Sequence, residues 1–169
     1  MEKYISGGTY YSEKDLEAGE IFHTFDSLDC TYNWDCGVAI GRYLDELKNG
    51  KIIGKKCNSC KRIMLPPRMF CEICFCPTDD WVYVEDTGTI NTFSICNVHW
   101  DASRVKEDET YPIPAVIEID GASEGMGILH HIKEVEPEDV KIGMKVKAVW
   151  KPAEERTGDI RDIEYFKPY

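Results

Sequence analysis

The chain has 169 residues, enough for one domain of ordinary size or two small ones, and 43% of them are hydrophobic, so its many acids do not imply a disordered chain. A net charge of −11 repels polyanions and argues against non-specific binding to nucleic acid or to an anionic membrane. No window approaches the ~18 apolar residues of a membrane span, and Met1-Glu2-Lys3-Tyr4 lacks the layout of a signal peptide. The expectation is therefore a cytoplasmic protein whose eight cysteines are metal ligands or small buried groups rather than a disulfide framework.

Residues 1–50 read as an N-terminal helical arm. Ser12-Glu13-Lys14-Asp15 fits a capping box and predicts one short helix. From Val38 onward, Ile40, Tyr43, Leu44 and Leu47 recur at helical spacing, Lys48 suits the negative helix end, and Gly50 suits the position just past it. That amphipathic helix must bury its stripe against its own domain or another chain.

Residues 51–80 form a cysteine-rich module, with Pro66-Pro67 between two cysteine pairs and Pro77 after them. Beyond it, residues 81–169 read as strands. Ile113, Ala115, Ile117 and Ile119 alternate, as do Met144, Val146, Ala148 and Trp150. Thr89–Val98 is expected to be one long strand that bends or bulges, and 125–132 and 160–166 supply two more. An acidic helical turn with proline near its start, Glu136-Pro137-Glu138-Asp139-Val140, falls between the third and fourth of these five strands. This is the layout of an OB-type barrel, with a plain antiparallel sandwich as the competing arrangement. The fold class expected is mainly β: helical arm, rubredoxin-like zinc ribbon, and five-stranded OB-fold domain.

Cys57-Asn58-Ser59-Cys60 and Cys71-Glu72-Ile73-Cys74 are two C-x-x-C pairs. Each two-residue spacer lets a tight turn aim both thiolates at one point, and a hairpin brings the two knuckles into a tetrahedron. Cys57, Cys60, Cys71 and Cys74 are thus the candidate ligands of one zinc ion. Four thiolates leave no open position for water, so the metal is expected to be structural; iron is the minor alternative. Cys76 offers a rival sulfur beside Cys74 and is read as a free thiol, because Cys74 matches the spacing of the first pair. Cys30, Cys36 and Cys96 have no partner at metal spacing, and Cys96 is placed inside a strand. His130 and His131, adjacent in a strand, point to opposite faces, one packed and one exposed.

Between Lys51 and Cys74 stand Lys51, Lys55, Lys56, Lys61, Arg62 and Arg68 against the single acid Glu72, about +5 within a chain whose remainder carries about −16. The run is either a solvated face or a local site for phosphate groups or an acidic partner. No G-x-S-x-G, P-loop or strand-coupled G-x-G-x-x-G is present, and the acids are scattered. The residues thus describe a binding or accessory subunit without a catalytic set of its own.

The order of parts adds to this. A helix ending near Gly50 is followed by a ribbon containing Leu65-Pro66-Pro67-Arg68-Met69-Phe70-Cys71, a strand pair around Gly88, Pro112-Ile113-Pro114, and Ile142-Gly143-Met144-Lys145-Val146. Over residues 38–168 the chain resembles the DUF35 family of zinc-ribbon and OB-fold proteins. The resemblance implies an accessory role: such proteins partner thiolase-type catalytic subunits in hetero-oligomers and help bring acyl-CoA to them. One branch of that family is the small subunit of 2-benzoylsuccinyl-CoA thiolase, from anaerobic toluene breakdown. Coenzyme A or acyl-CoA then becomes a candidate ligand for the basic run. Two other classes suit the same parts: a single-stranded nucleic-acid-binding OB protein, against which the acidic barrel argues, and a small redox protein.

Overall fold

The computed structural model of the chain describes residues 4–5, 8–9, 12–21, 24, 31–99, 101–106 and 109–169. It divides into two units, Met1–Trp34 and Asp35–Tyr169. The first contains a two-stranded antiparallel pair, β1 (Tyr4–Ile5) and β2 (Gly8–Thr9), and a short helix α1 (Glu13–Glu17). The helix starts where Ser12 predicts it, with Asp15 accepting the Ser12 backbone N–H at 2.8 Å and its hydroxyl at 2.9 Å. Cys30 lies outside the described residues.

The second unit opens with α2 (Gly37–Lys48), whose Ala39, Tyr43 and Leu47 are buried. Its end is a Schellman motif. Gly50 adopts φ +69°, its N–H bonds the Leu47 carbonyl at 2.9 Å, and the Lys51 N–H bonds that of Glu46 at 2.9 Å. A Cβ at residue 50 would meet only the tip of the Arg156 side chain, so it is the left-handed conformation that calls for glycine there. The chain then enters β3 (Ile52–Cys57), which is flanked antiparallel by β4 (Ile63–Met64) and β5 (Thr78–Val84). Ile52, Ile53 and Leu47 are fully buried where helix and ribbon sheet meet. β5 runs across residue 80 and keeps pairing with β3 as far as Ile52↔Val84.

The remaining strands are β6 (Thr87–Phe93), β7 (Ile113–Ile119), β8 (Gly127–Ile132), β9 (Lys145–Trp150) and β10 (Ile163–Pro168). They close into a barrel in the order β10-β8-β7-β6-β9, with β8 and β10 parallel and every other pair antiparallel. Closure with one parallel pair is the OB arrangement and excludes the open sandwich. The expected alternation is met: Ile113, Ala115, Ile117 and Ile119 face a core that also holds Ile90, Val146, Ala148 and Phe166. β6 and β8 approach β7 so closely that a Cβ at Gly88 would strike the Glu118 carbonyl and one at Gly127 the Ile117 carbonyl. The acidic turn between β8 and β9 is a 3-10 turn, Pro137–Asp139.

The strand expected over Thr89–Val98 is shorter. A bulge between Ile90 and Thr92 turns it, and regular pairing ends at Phe93. Two bonds continue beyond, from Ser94 N–H to the Pro114 carbonyl and from Cys96 N–H to that of Pro112. Cys96 therefore follows the strand instead of sitting in it, and is only half-buried. The β9–β10 connection is organised by the fully buried Asp162, whose carboxylate accepts the N–H groups of Thr157, Gly158 and Asp159 at 3.0, 2.7 and 3.2 Å. Among the described residues no helix is long and apolar enough to cross a membrane.

Candidate metal centre

Both cysteine pairs sit on knuckles with the same bonding. In the first, the Cys57 carbonyl accepts from Lys61 N–H at 2.9 Å and the Arg62 carbonyl accepts from Cys57 N–H at 2.8 Å. In the second, the Cys71 carbonyl accepts from Phe75 N–H at 2.9 Å and the Cys76 carbonyl from Cys71 N–H at 3.0 Å. Lys61 and Phe75, each following the second cysteine of its pair, both take left-handed backbone, φ 65° and 53°. This correspondence places Cys76 at the position of Arg62, outside the knuckle turn. Thr78 ties the second knuckle down through its hydroxyl to the Arg68 carbonyl and its N–H to that of Met69.

The sulfurs of Cys57, Cys60, Cys71 and Cys74 all lie within 4.8 Å of one another, and those of Cys60 and Cys71 are 3.6 Å apart. A tetrahedral zinc with ~2.3 Å bonds requires sulfur separations of roughly 3.8 Å, so the donor set fits such an ion in number, chemistry and spacing. The thiol of Cys57 is pulled down to about 6, chiefly by the Cys60 backbone N–H, against the effect of burial and with help from the Cys76 thiol and Ser59 N–H. That of Cys76 is pushed up, first by its contact with Cys57 and then by burial.

The six basic residues do not converge. Arg62 and Arg68 both face Glu72, at 3.0 and 3.6 Å, and Arg62 donates to the Glu124 carbonyl at 3.0 Å. Lys61 donates to the Asn58 carbonyl at 2.6 Å. Lys55 is only 4% exposed; its ammonium lies 4.9 Å from the centre of the Trp81 ring and 3.9 Å from Met69 Sδ. Arg42 of α2 stacks on the same indole at 4.5 Å, and Lys51 lies over Tyr83 at 5.4 Å. Lys56 is half-buried on β3, opposite Ile63 and Asp80. Among the described residues no carboxylate comes within ion-pair distance of Lys51, Lys55, Lys56 or Lys61. In the barrel, Lys145, Lys147 and Lys167 reach Asp120, Asp86 and Glu134 at 3.2, 3.9 and 3.0 Å, whereas Lys133, Lys141 and Lys151 make no such pair among the described residues.

Two features escape sequence reasoning. Trp81 is a platform for two cations, which only the β3–β5 register and the approach of α2 reveal. A cavity of about 580 Å3, lined by Tyr111, Pro112, His131, Lys133, Val135 and Tyr165, opens beside β8 and is of a size that small molecules occupy. His131 is exposed at its rim, while His130 is half-buried against Phe166 with ring centres 5.7 Å apart.

A four-thiol ribbon joined to a closed OB barrel defines the class. The ChsH2 rubredoxin-like zinc ribbon domain matches residues 44–78, and the ChsH2 C-terminal OB-fold domain matches residues 81–151. A DUF35 domain-containing scaffold protein of Methanocaldococcus jannaschii is 33% identical over 121 residues, 69% of this chain and 81% of that protein. The chain belongs to the DUF35 family. A protein of Thermomonospora curvata named "Probable enoyl-CoA hydratase alpha subunit" is 24% identical over 112 residues, 66% of this chain but 33% of that longer protein. Among solved structures, a DUF35 protein of unknown function from Sulfolobus solfataricus superposes with a TM-score of 0.56 at 28% identity, covering 67% of this chain and 78% of that one. The Ltp2-ChsH2(DUF35) aldolase gives 0.52 at 22% identity, covering 75% and 91%, which establishes the shared fold.

Proposed function

We propose that this protein is a zinc-containing accessory subunit of a thiolase-type acyl-CoA enzyme, assisting acyl-CoA binding or delivery to a catalytic partner and inactive alone. Cys57, Cys60, Cys71 and Cys74 hold the zinc, which supplies folding energy to the ribbon and no open coordination site for chemistry. The observation that carries the accessory role is electrostatic: the ribbon concentrates four lysines without carboxylate partners in one short stretch of a chain of charge −11. Packing accounts for Lys55, but the exposed Lys51 and Lys61 and the half-buried Lys56 leave positive charge that an anionic ligand or partner can use. The names of two relatives support the direction: one is an enoyl-CoA hydratase subunit, and the other is a DUF35 chain in an aldolase with Ltp2. The exposed Lys51, Lys61 and Arg68, with half-buried Lys56 and Arg62, are the candidate contacts for coenzyme A phosphates. Lys55, held beneath Trp81 and Met69, braces that face from within.

Affinity capture from the native host, followed by identification of the co-eluting chain, tests this reading. A thiolase-fold subunit in fixed ratio is the expected result; reproducible isolation of the chain free of any such subunit overturns it.

A further inference from the structure

The second knuckle exposes apolar side chains that its fold does not require. Phe70 is 62% exposed, Ile73 59% and Phe75 84%, all on the short loop that carries Cys71 and Cys74. Phe75 is the sharpest case. Its left-handed backbone is one that glycine adopts without strain and a bulky residue resists, and its ring packs on nothing that would compensate. The equivalent position of the first knuckle is the soluble Lys61. Glycine at 75 would relieve the backbone and lysine would suit the solvent, so a phenylalanine there points to something outside the chain.

Charge says what that is. Ile73 lines a depression of about 350 Å3 together with Lys61, Arg62 and Glu124, and the loop's own Glu72 faces Arg62 and Arg68, so three cations outnumber two carboxylates around the apolar loop. A second copy docked by the same patch would bring two basic faces together, which an isologous dimer cannot tolerate cheaply. A distinct partner, apolar where the rings land and acidic around them, satisfies both observations. We infer that the second zinc knuckle is the docking surface for the catalytic subunit, with Phe70, Ile73 and Phe75 inserting into an acid-rimmed apolar socket. This inference rests on the accessory-subunit reading and assigns its contact face. The metal then has a second role, since fixing Cys71 and Cys74 holds the aromatic anchors rigid before binding.

The test uses the full chain and the thiolase-fold subunit of the same host, co-expressed and purified. Phe75→Gly suits the backbone at that position and is expected to keep zinc content and thermal stability at or above wild type, while weakening association at least tenfold. Leu129→Ser, at an exposed barrel position, is expected to bind as wild type does. A benzophenone amino acid at residue 75 is expected to cross-link to the catalytic subunit. Equal affinity of wild type and Phe75→Gly overturns the inference and leaves the accessory reading standing. Cross-linking to a second copy, or retention by phosphatidylglycerol vesicles that depends on Phe75, overturns it in favour of those occupants. If wild type itself fails to bind the subunit, the accessory reading falls, and the assigned face with it.

Discussion

The sulfur of Cys76 lies 3.4 Å from that of Cys57, yet Cys76 stands outside the set of four that surround one point. The knuckle hydrogen bonds explain this: Cys76 occupies the place that Arg62 holds in the first knuckle, one residue beyond the turn that aims ligands inward. Cys76→Ser is therefore expected to retain about one zinc per chain, whereas Cys60→Ser and Cys71→Ser lose it and unfold the ribbon, because metal-binding energy here is folding energy. Metal analysis of the purified variants beside their thermal unfolding checks this; zinc loss in Cys76→Ser with retention in Cys74→Ser would reverse the ligand assignment.

Asp162 gives the barrel an acid-sensitive loop. Burial raises its carboxyl pKa, but the N–H groups of Thr157, Gly158 and Asp159 outweigh burial and hold it below the ordinary range. A depressed folded value contributes stability that is present above the unfolded pKa of about 3.9 and is lost as pH falls through the folded value. Asp162→Asn should cost about 1.5–3 kcal/mol at neutral pH and flatten the acid limb of the stability profile. Denaturant titrations at pH 7 and below pH 4 would show it, and an unchanged neutral-pH midpoint would refute it.

Gly88 is expected to tolerate no side chain. A Cβ there meets the Glu118 carbonyl on the paired strand, so Gly88→Ala should destabilise the barrel by about 1–3 kcal/mol without changing zinc content. Chemical denaturation followed by tryptophan fluorescence, with parallel metal analysis, separates the two.

The basic residues divide by burial. Lys55→Ala removes a buried stem and its contact with Trp81, and should lower ribbon stability by roughly 1–2 kcal/mol. Lys56→Gln, which avoids a second carboxylate opposite Asp80, should leave stability within about 0.5 kcal/mol and raise the Michaelis constant for acyl-CoA several-fold in the assembled enzyme. Steady-state kinetics of the complex beside melting curves of the variants provide the comparison; equal effects of both on both quantities would dissolve the distinction.

Periodicity and spacing made much of this molecule legible. Gly50 after the Ile40–Leu47 stripe marked the helix end, alternation at Ile113–Ile119 marked a barrel strand, and the paired C-x-x-C spacing marked the four sulfurs that come together. What stayed hidden depends on register and reach. The bend expected within Thr89–Val98 is the bulge between Ile90 and Thr92, but the apolar run carries no mark of where pairing stops, at Phe93, and so places Cys96 in a strand it does not join. Lys55 looks like its neighbours in sequence, and only its place on the central strand beneath Met69 and Trp81 separates it from the exposed Lys51 and Lys61. The cavity beside β8 gathers residues from positions 110 to 165 and leaves no local signature.

Service to a catalytic partner is read from acyl-CoA turnover by the purified thiolase-fold subunit of the same host, with and without stoichiometric addition of the zinc-loaded chain. Little turnover by either component alone is expected, and restoration by their combination, with a smaller gain from the Phe75→Gly variant at subsaturating concentration. Equal turnover by the subunit whether or not this chain is present would contradict the accessory role.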